Sequence, residues 1–225
     1  MNNKLTRKIK YLSAIFLVVF FQTAWAESKK IGIMVYDGVL TSDVTAPLEV
    51  FGVASKLTWF SDYEVITIGV SKTNTITTEE GLKLGVDSWI GNNPDVDVLL
   101  VPSSYTMKPL LNNKALINFI ADKSKVVDYM ASNCSGSFLL AEAGVLEGKK
   151  ATTWAGGEEE LKDDYPSVNV QFDTNVVVDG NVLTSNGSVV SYQAALTLLK
   201  LMTSQSKADE VADTIQFSRL SKNTY

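Results

Sequence analysis

The chain contains no histidine and a single cysteine, Cys134, in 225 residues. Without histidine, neither a Cys–His pair nor a Cys–His–Asp triad can form. Any cysteine chemistry must then be run by a carboxylate or by the local field. The same two scarcities predict no zinc site. One cysteine also excludes an internal disulfide, and in an oxidising compartment a lone thiol is at risk unless it is sheltered or used. Repeats, low-complexity tracts and long linkers are lacking. Positive charge is in short supply too, with a formal net charge of −5. An acidic surface argues against nucleic acid and anionic membrane as partners and leaves a small-molecule ligand as the expectation. No cofactor is expected.

What is present begins with a leader. Lys4, Arg7, Lys8 and Lys10 form a basic segment, Tyr11 to Phe21 an apolar one, and Ala24-Trp25-Ala26 a small-x-small cleavage site. This predicts a secretory signal peptide over 1–26, cut after Ala26, and one domain over 27–225. The apolar run is short for a spanning helix, and no lipobox cysteine follows it. The expected product is soluble and periplasmic or secreted, with no membrane association once the leader is gone. The leader removes basic residues only, so the remaining domain is more acidic than the whole chain.

Short apolar runs alternate with helical patterns. Ile31–Tyr36, Tyr63–Val70, Val96–Val101 and the run Val126–Asn133 read as strands. Lys150–Thr153, Val168–Phe172 and Val176–Leu183 read as further strands, the last turning at Asp179-Gly180. Ile76–Leu84 reads as a hairpin. Helices are expected over Asp43–Lys56 (capped by Ser42 or Asp43), Leu110–Lys123, Glu158–Tyr165, Val189–Met202 and Ala208–Arg219. Glu158-Glu159-Glu160 reads as a solvated first turn. The alternation implies an α/β sandwich with a mostly parallel sheet, in which ligands bind at the carboxyl ends of strands. The strand-end segments Asp37 to Asp43, Ser103 to Tyr105, Cys134-Ser135 and Thr153-Trp154 are therefore expected around one cleft. Cys134 itself follows a strand, is trailed by Ser135-Gly136-Ser137, and precedes the helical pattern Phe138–Ala143. A thiol on such a turn sits at a helix N-terminus, where the dipole and free amides favour the thiolate.

The stretch from Cys134 through Gly144-Val145-Leu146-Glu147-Gly148 to Thr153 resembles the nucleophile elbow of the ThiJ/PfpI superfamily, whose fold is class I glutamine-amidotransferase-like. Asp43-Val44-Thr45-Ala46-Pro47-Leu48-Glu49-Val50-Phe51 resembles the first-helix motif of its isonitrile-hydratase branch and of the amidase-like domains of AraC-type regulators. Thr184-Ser185-Asn186-Gly187 matches the late glycine turn. The resemblance spans about 30–202 and implies a flavodoxin-like three-layer sandwich with an elbow cysteine. It also implies Asp43 as general acid/base in place of histidine, and a homodimer. Family branches place a histidine just after the cysteine or just after the Thr-Thr pair; Ser135 and Trp154 stand there. The family's Pro-Gly-Gly is Pro102-Ser103-Ser104 here, and Gln193 occupies a late acidic position. No helix-turn-helix domain is expected.

The leading expectation is an exported cysteine-dependent hydratase or hydrolase of a small carbon–nitrogen compound, isonitrile hydration being its sharpest form. Cys134 would attack, Asp43 would move protons, and the amides of Ser104 and Ser135 would hold developing charge. Tyr105 and Trp154 would contact or cover the substrate. Two other readings stand beside it: a non-catalytic binding or sensing module, and a redox or stress protein cycling Cys134 through the sulfenic state.

Overall fold

The structure is a computed structural model that describes residues 28–57 and 63–222. The expected leader and its cleavage site lie outside the described residues. In chain order, the first half runs β1 (Lys29–Val35), α1 (Thr41–Lys56), β2 (Tyr63–Gly69), β3 (Thr75–Thr77), β4 (Lys83–Gly85), β5 (Ser88–Trp89), β6 (Val98–Val101), α2 (Lys108–Leu111), α3 (Lys114–Lys123) and β7 (Tyr129–Asn133). The second half runs α4 (Gly136–Glu142), β8 (Lys150–Ala151), α5 (Glu158–Asp164), β9 (Asn169–Val170), β10 (Val176–Asp179), β11 (Val182–Ser185), α6 (Val190–Met202) and α7 (Gln205–Thr214).

Seven strands form one sheet in the order β10-β11-β7-β6-β1-β2-β5. All its neighbours pair in parallel except the β10–β11 hairpin. Strand β6 is apolar throughout and β1 carries no polar side chain from Ile31 on, because both faces are covered. Their side chains alternate between two cores. Ile31, Ile33, Val35, Val98 and Leu100 join Phe51, Leu198 and Leu199 under α1 and α6. Met34, Leu99 and Val101 join Leu116, Ile120, Leu139 and Leu140 under α3 and α4. Removing one fully buried leucine from either core would cost about 2–5 kcal/mol. This is the expected α/β sandwich with a mostly parallel sheet.

Three local expectations need correction. Helix α1 begins two residues early, with Leu40 at its N-cap and no side-chain cap. Its first amide, Thr41 N, instead donates to Glu80 Oε2 at 2.9 Å, from the turn between β3 and β4. The helix expected over Leu110–Lys123 is broken because the Asn113 side chain accepts from the Ala115 and Leu116 amides and starts α3 afresh. The closing helix starts at Gln205, capped by Ser204, and gives way to a 3₁₀ segment over Phe217–Lys222 after Gln216 at φ 65°.

Candidate functional site

Strands β11, β7, β6 and β1 are consecutive neighbours, so the chain segments leaving their carboxyl ends meet. Cys134 lies between β7 and α4 with φ 51°, the left-handed region that β-carbons resist. Holding a non-glycine residue there costs on the order of 1–3 kcal/mol and requires the surroundings to over-determine it. They do. Cys134 N donates to Ser185 O at 2.8 Å. Its carbonyl accepts from Ser137 Oγ at 3.0 Å and Thr153 Oγ1 at 3.1 Å. Two glycines let the chain close around the turn. A Cβ on Gly136 would lie 2.1 Å from Val101 O, and one on Gly187, itself at φ 75°, would lie 2.5 Å from the Cys134 Cβ.

Asp43 sits in the first turn of α1 and is 0 % exposed. It does not cap its own helix; its carboxylate reaches across the sheet end. Oδ2 accepts from Ser103 N at 3.1 Å and Ser103 Oγ at 2.5 Å. Oδ1 accepts from Ser188 N at 3.0 Å and Ser191 Oγ at 2.7 Å. Burial pushes the Asp43 carboxyl above its ordinary value, and these four hydrogen bonds pull it back only in part. A Cβ on Gly187 would also lie 3.1 Å from Asp43 Oδ1, so the acid and the Cys134 Cβ flank the same glycine. One backbone detail fixes the acid's height. Pro47 has no N–H to offer the Asp43 carbonyl one helical turn back, and Asn133 Nδ2 donates to that carbonyl instead, at 3.4 Å. Asn133 Oδ1 in turn accepts from Ser185 Oγ at 2.6 Å.

The thiol does not behave as its place at a helix start suggests. Burial raises it, the Asp43 charge raises it further, and hydrogen bonding from the Ser103 hydroxyl and from the Ser135 amide and hydroxyl lowers it; the net direction is up. The expected thiolate preference is thus overridden by desolvation and a neighbouring carboxylate, against a helix only seven residues long. Of the two amides expected to hold developing charge, that of Ser135 favours the charged sulfur. That of Ser104 donates to Ser135 Oγ at 3.3 Å, and Ser135 Oγ donates to Ser104 O at 3.1 Å. Tyr36 is buried beside both groups, its hydroxyl donating to Pro102 O at 2.6 Å; burial, then Asp43 and Cys134, push it far up.

A cleft of about 800 Å³ opens over the thiol, lined by Leu40, Ser104, Tyr105, Met107, Cys134, Ser135, Trp154, Asn186 and Val189 among others. The four expected strand-end segments all contribute to this neighbourhood, but Asp43 is not among the lining residues. Tyr105, 77 % exposed, and Val189, 78 % exposed, stand at its rim. Trp154 stacks on Phe138 with ring centroids 5.2 Å apart and is held by Gly157, whose Cβ would collide with the indole. Glu80 and Glu160 also line the cleft, with no basic side chain among the described lining residues. Glu158, by contrast, is buried and accepts from Gly156 N at 2.7 Å, so the acidic triplet is not uniformly solvated. Glu49 accepts from Tyr192 Oη at 2.6 Å, away from the cleft. Ser103, Ser188, Ser191 and Tyr36 were not singled out from the sequence. The only local signal was the serine in place of glycine at 103.

An open, mostly parallel sheet carrying a cysteine on a strained strand-to-helix turn defines a nucleophile-elbow α/β protein. The chain belongs to the DJ-1/PfpI family, whose model matches residues 29–201. It is 30 % identical over 171 residues to isonitrile hydratase of Pseudomonas putida, covering 75 % of this chain and 70 % of that protein. It is also 30 % identical over 131 residues to a deglycase of Pyrococcus horikoshii, covering 57 % and 76 %. Among solved structures, a ThiJ/PfpI family protein from Pseudomonas syringae superposes with a TM-score of 0.74 at 23 % identity, over 86 % of this chain and 76 % of that one. Drosophila melanogaster DJ-1beta gives 0.72 at 19 %, over 84 % and 98 %. These two likenesses concern the fold.

Proposed function

We propose that this protein is an exported, cysteine-dependent hydratase or hydrolase of a small carbon–nitrogen compound. The observation that carries the reading is the pairing of a strained, cleft-facing Cys134 with a buried Asp43 whose carboxyl is raised by burial. For an isonitrile, the sulfur would add to the terminal carbon while a proton is delivered to it, giving a thioimidate. Water would then add to the same carbon, the nitrogen would take a proton, and the sulfur would leave, giving an N-substituted formamide. The Ser135 amide, which favours the charged sulfur, would hold charge near the reacting carbon. The likeness to isonitrile hydratase supports this chemistry.

The cleft narrows the substrate class. The Glu80 and Glu160 carboxylates on its wall, with no basic partner among the described lining residues, disfavour anions and suit neutral or cationic molecules with an apolar body against Trp154 and Val189. The test is turnover of cyclohexyl isocyanide by the 27–225 protein, read as formamide. Turnover that vanishes in Cys134→Ala supports the reading. A protein that binds the isocyanide without converting it points to the second reading, a binding module, which the raised thiol and the engaged Ser104 amide favour. Export rests on the leader's composition, and N-terminal sequencing of periplasmic protein should begin at Glu27.

A further inference from the structure

Three glutamates open α5, and each meets different surroundings. Successive helical residues point about 100° apart, so the three carboxylates diverge. Glu158 turns inward and accepts from Gly156 N at 2.7 Å. Glu159 pairs with Lys162 Nζ at 3.0 Å. Glu160 alone of the three lines the cleft over Cys134, and it has no hydrogen bond or ion pair among the described residues. The other carboxylate on the cleft wall, Glu80, is occupied: it accepts from Thr41 N at 2.9 Å and from Thr41 Oγ1 at 2.6 Å. Helix amino ends would favour an anion in the cleft. Those of α1 and α6 already have acidic partners, since Thr41 N gives to Glu80 and Ser188 N gives to Asp43 at 3.0 Å.

The cleft also has room for more than the reacting group. Its volume of about 800 Å³ lies within the range of about 300–1,000 Å³ that holds drug-sized ligands. Trp154 forms part of its wall, with Phe138 stacked on one face of the indole. Gly157 N donates to Trp154 O at 2.9 Å, and that turn leads directly into α5 and Glu160. An indole beside an unpaired carboxylate suits a cation attached to an apolar body.

We propose that Glu160 selects cationic substrates: carbon–nitrogen compounds that also carry a protonated amine. The ammonium lies at Glu160, the hydrocarbon body along Trp154, and the electrophilic carbon at Cys134. Glu160 takes no part in the bond changes; it sets which molecules reach the thiol. The proposal deepens the hydratase reading and rests on it for the reacting carbon, while the charge preference belongs to the cleft itself.

Cys134 is the only thiol in the chain, so that preference can be read without turnover. The probes are three methanethiosulfonates, with trimethylammonioethyl, hydroxyethyl and sulfonatoethyl groups. Each leaves a mixed disulfide on Cys134 and releases methanesulfinate, and intact mass gives the rate. Dividing by the rates on 2-mercaptoethanol removes the reagents' own reactivity. A change in the thiol's ionisation moves all three rates together and cancels in their ratio. At low salt the normalised cationic-to-anionic ratio should be about 10 or more, and it should shrink as salt is raised. Glu160→Gln should lower it by about threefold or more, and Glu160→Lys further, while Glu159→Gln leaves it unchanged. A ratio at or below one in the unmutated protein overturns the proposal. So does a ratio that ignores both Glu160 variants, or one that falls equally in Glu159→Gln.

Turnover supplies the second arm, with 3-(dimethylamino)propyl isocyanide against cyclohexyl isocyanide. Glu160→Gln should raise KM for the amine by about 10-fold with kcat little changed, and leave KM for the cyclohexyl compound where it was. Equal changes in both KM values overturn the selection. Absence of turnover with either compound sinks the hydratase reading and leaves the modification ratio to judge Glu160 separately.

Discussion

The two ends of the sheet treat a carboxylate in opposite ways. At the carboxyl end, Asp43 is buried and surrounded by neutral donors, and burial wins, so its carboxyl is raised. At the amino end, Asp97 is partly exposed and meets Lys29 Nζ at 2.7 Å and the Lys30 amide at 2.8 Å. Partial burial pushes Asp97 up as well, but Lys29 and Lys30 together outweigh it, and the carboxyl is lowered. Hydrogen-bond count does not separate the two sites, because Asp43 has the richer set. A full cation beside a hydrated acid separates them. Cationic neighbours at the amino end thus favour the charged form of the acid, and burial at the carboxyl end favours the protonated form.

Substitutions can break this contrast, and the largest effect belongs to the thiol. Cys134→Ala should abolish formamide production while leaving the far-ultraviolet circular dichroism unchanged; residual turnover would remove the nucleophile from the proposal. Asp43→Asn should lower turnover by about 10²–10⁴-fold. The same change should move the midpoint of Cys134 alkylation by iodoacetamide to lower pH, because the carboxylate that raises the thiol is gone. A thiol that becomes easier to ionise in a poorer enzyme would show that Asp43 serves as a proton carrier and not as a promoter of the thiolate. An unmoved midpoint would place the relevant charge elsewhere.

Gly187→Ala comes next. Its Cβ would be forced against the Cys134 Cβ at a positive φ, and a loss of roughly 1–3 kcal/mol in urea unfolding is expected. The smallest effect is at the amino end. Lys29→Ala should cost under about 1 kcal/mol, less in high salt, because the lysine is half exposed.

The pH dependence of stability sharpens the contrast further. Asp97 has a folded value below its unfolded one. Its contribution is present above the ordinary aspartate value of 3.8 and is lost as pH falls through the lowered folded value. Asp43 has a folded value above its unfolded one, so the folded state binds the proton more tightly. Stability relative to Asp43→Asn should then decline as pH rises from 3.8 through the raised value. Urea titrations of both proteins across that range check the sign; a difference that grows with pH would mean the four hydrogen bonds outweigh burial.

What the sequence made legible was local. The elbow reads from consecutive residues, Asn133 to Phe138, and the sheet from apolar runs only a few residues long. Asp43 was found because a contiguous motif contains it. Its partners were not, because Ser103, Ser188 and Ser191 stand 60, 145 and 148 positions away. No periodicity links such distant serines; the parallel order β11-β7-β6-β1 does. The direction of the thiol's ionisation was misjudged for the same reason. Helix position is local, but burial and the Asp43 charge arrive through tertiary packing. The start of α1 was displaced by Glu80, a cap donated from another element and invisible to a window along the chain.

The missing donor at Pro47 has a mechanical consequence. A helix interior normally closes every carbonyl onto itself, so it can slide or tilt as an independent rod. Here one carbonyl is left outward-facing at the very residue that bears the acid, and the side chain of Asn133, the residue before the nucleophile, latches onto it. Helix and elbow are thereby coupled like two parts on a single bracket. A shift of α1 away from the turn would have to break this bond as well as those that the Asp43 carboxylate makes.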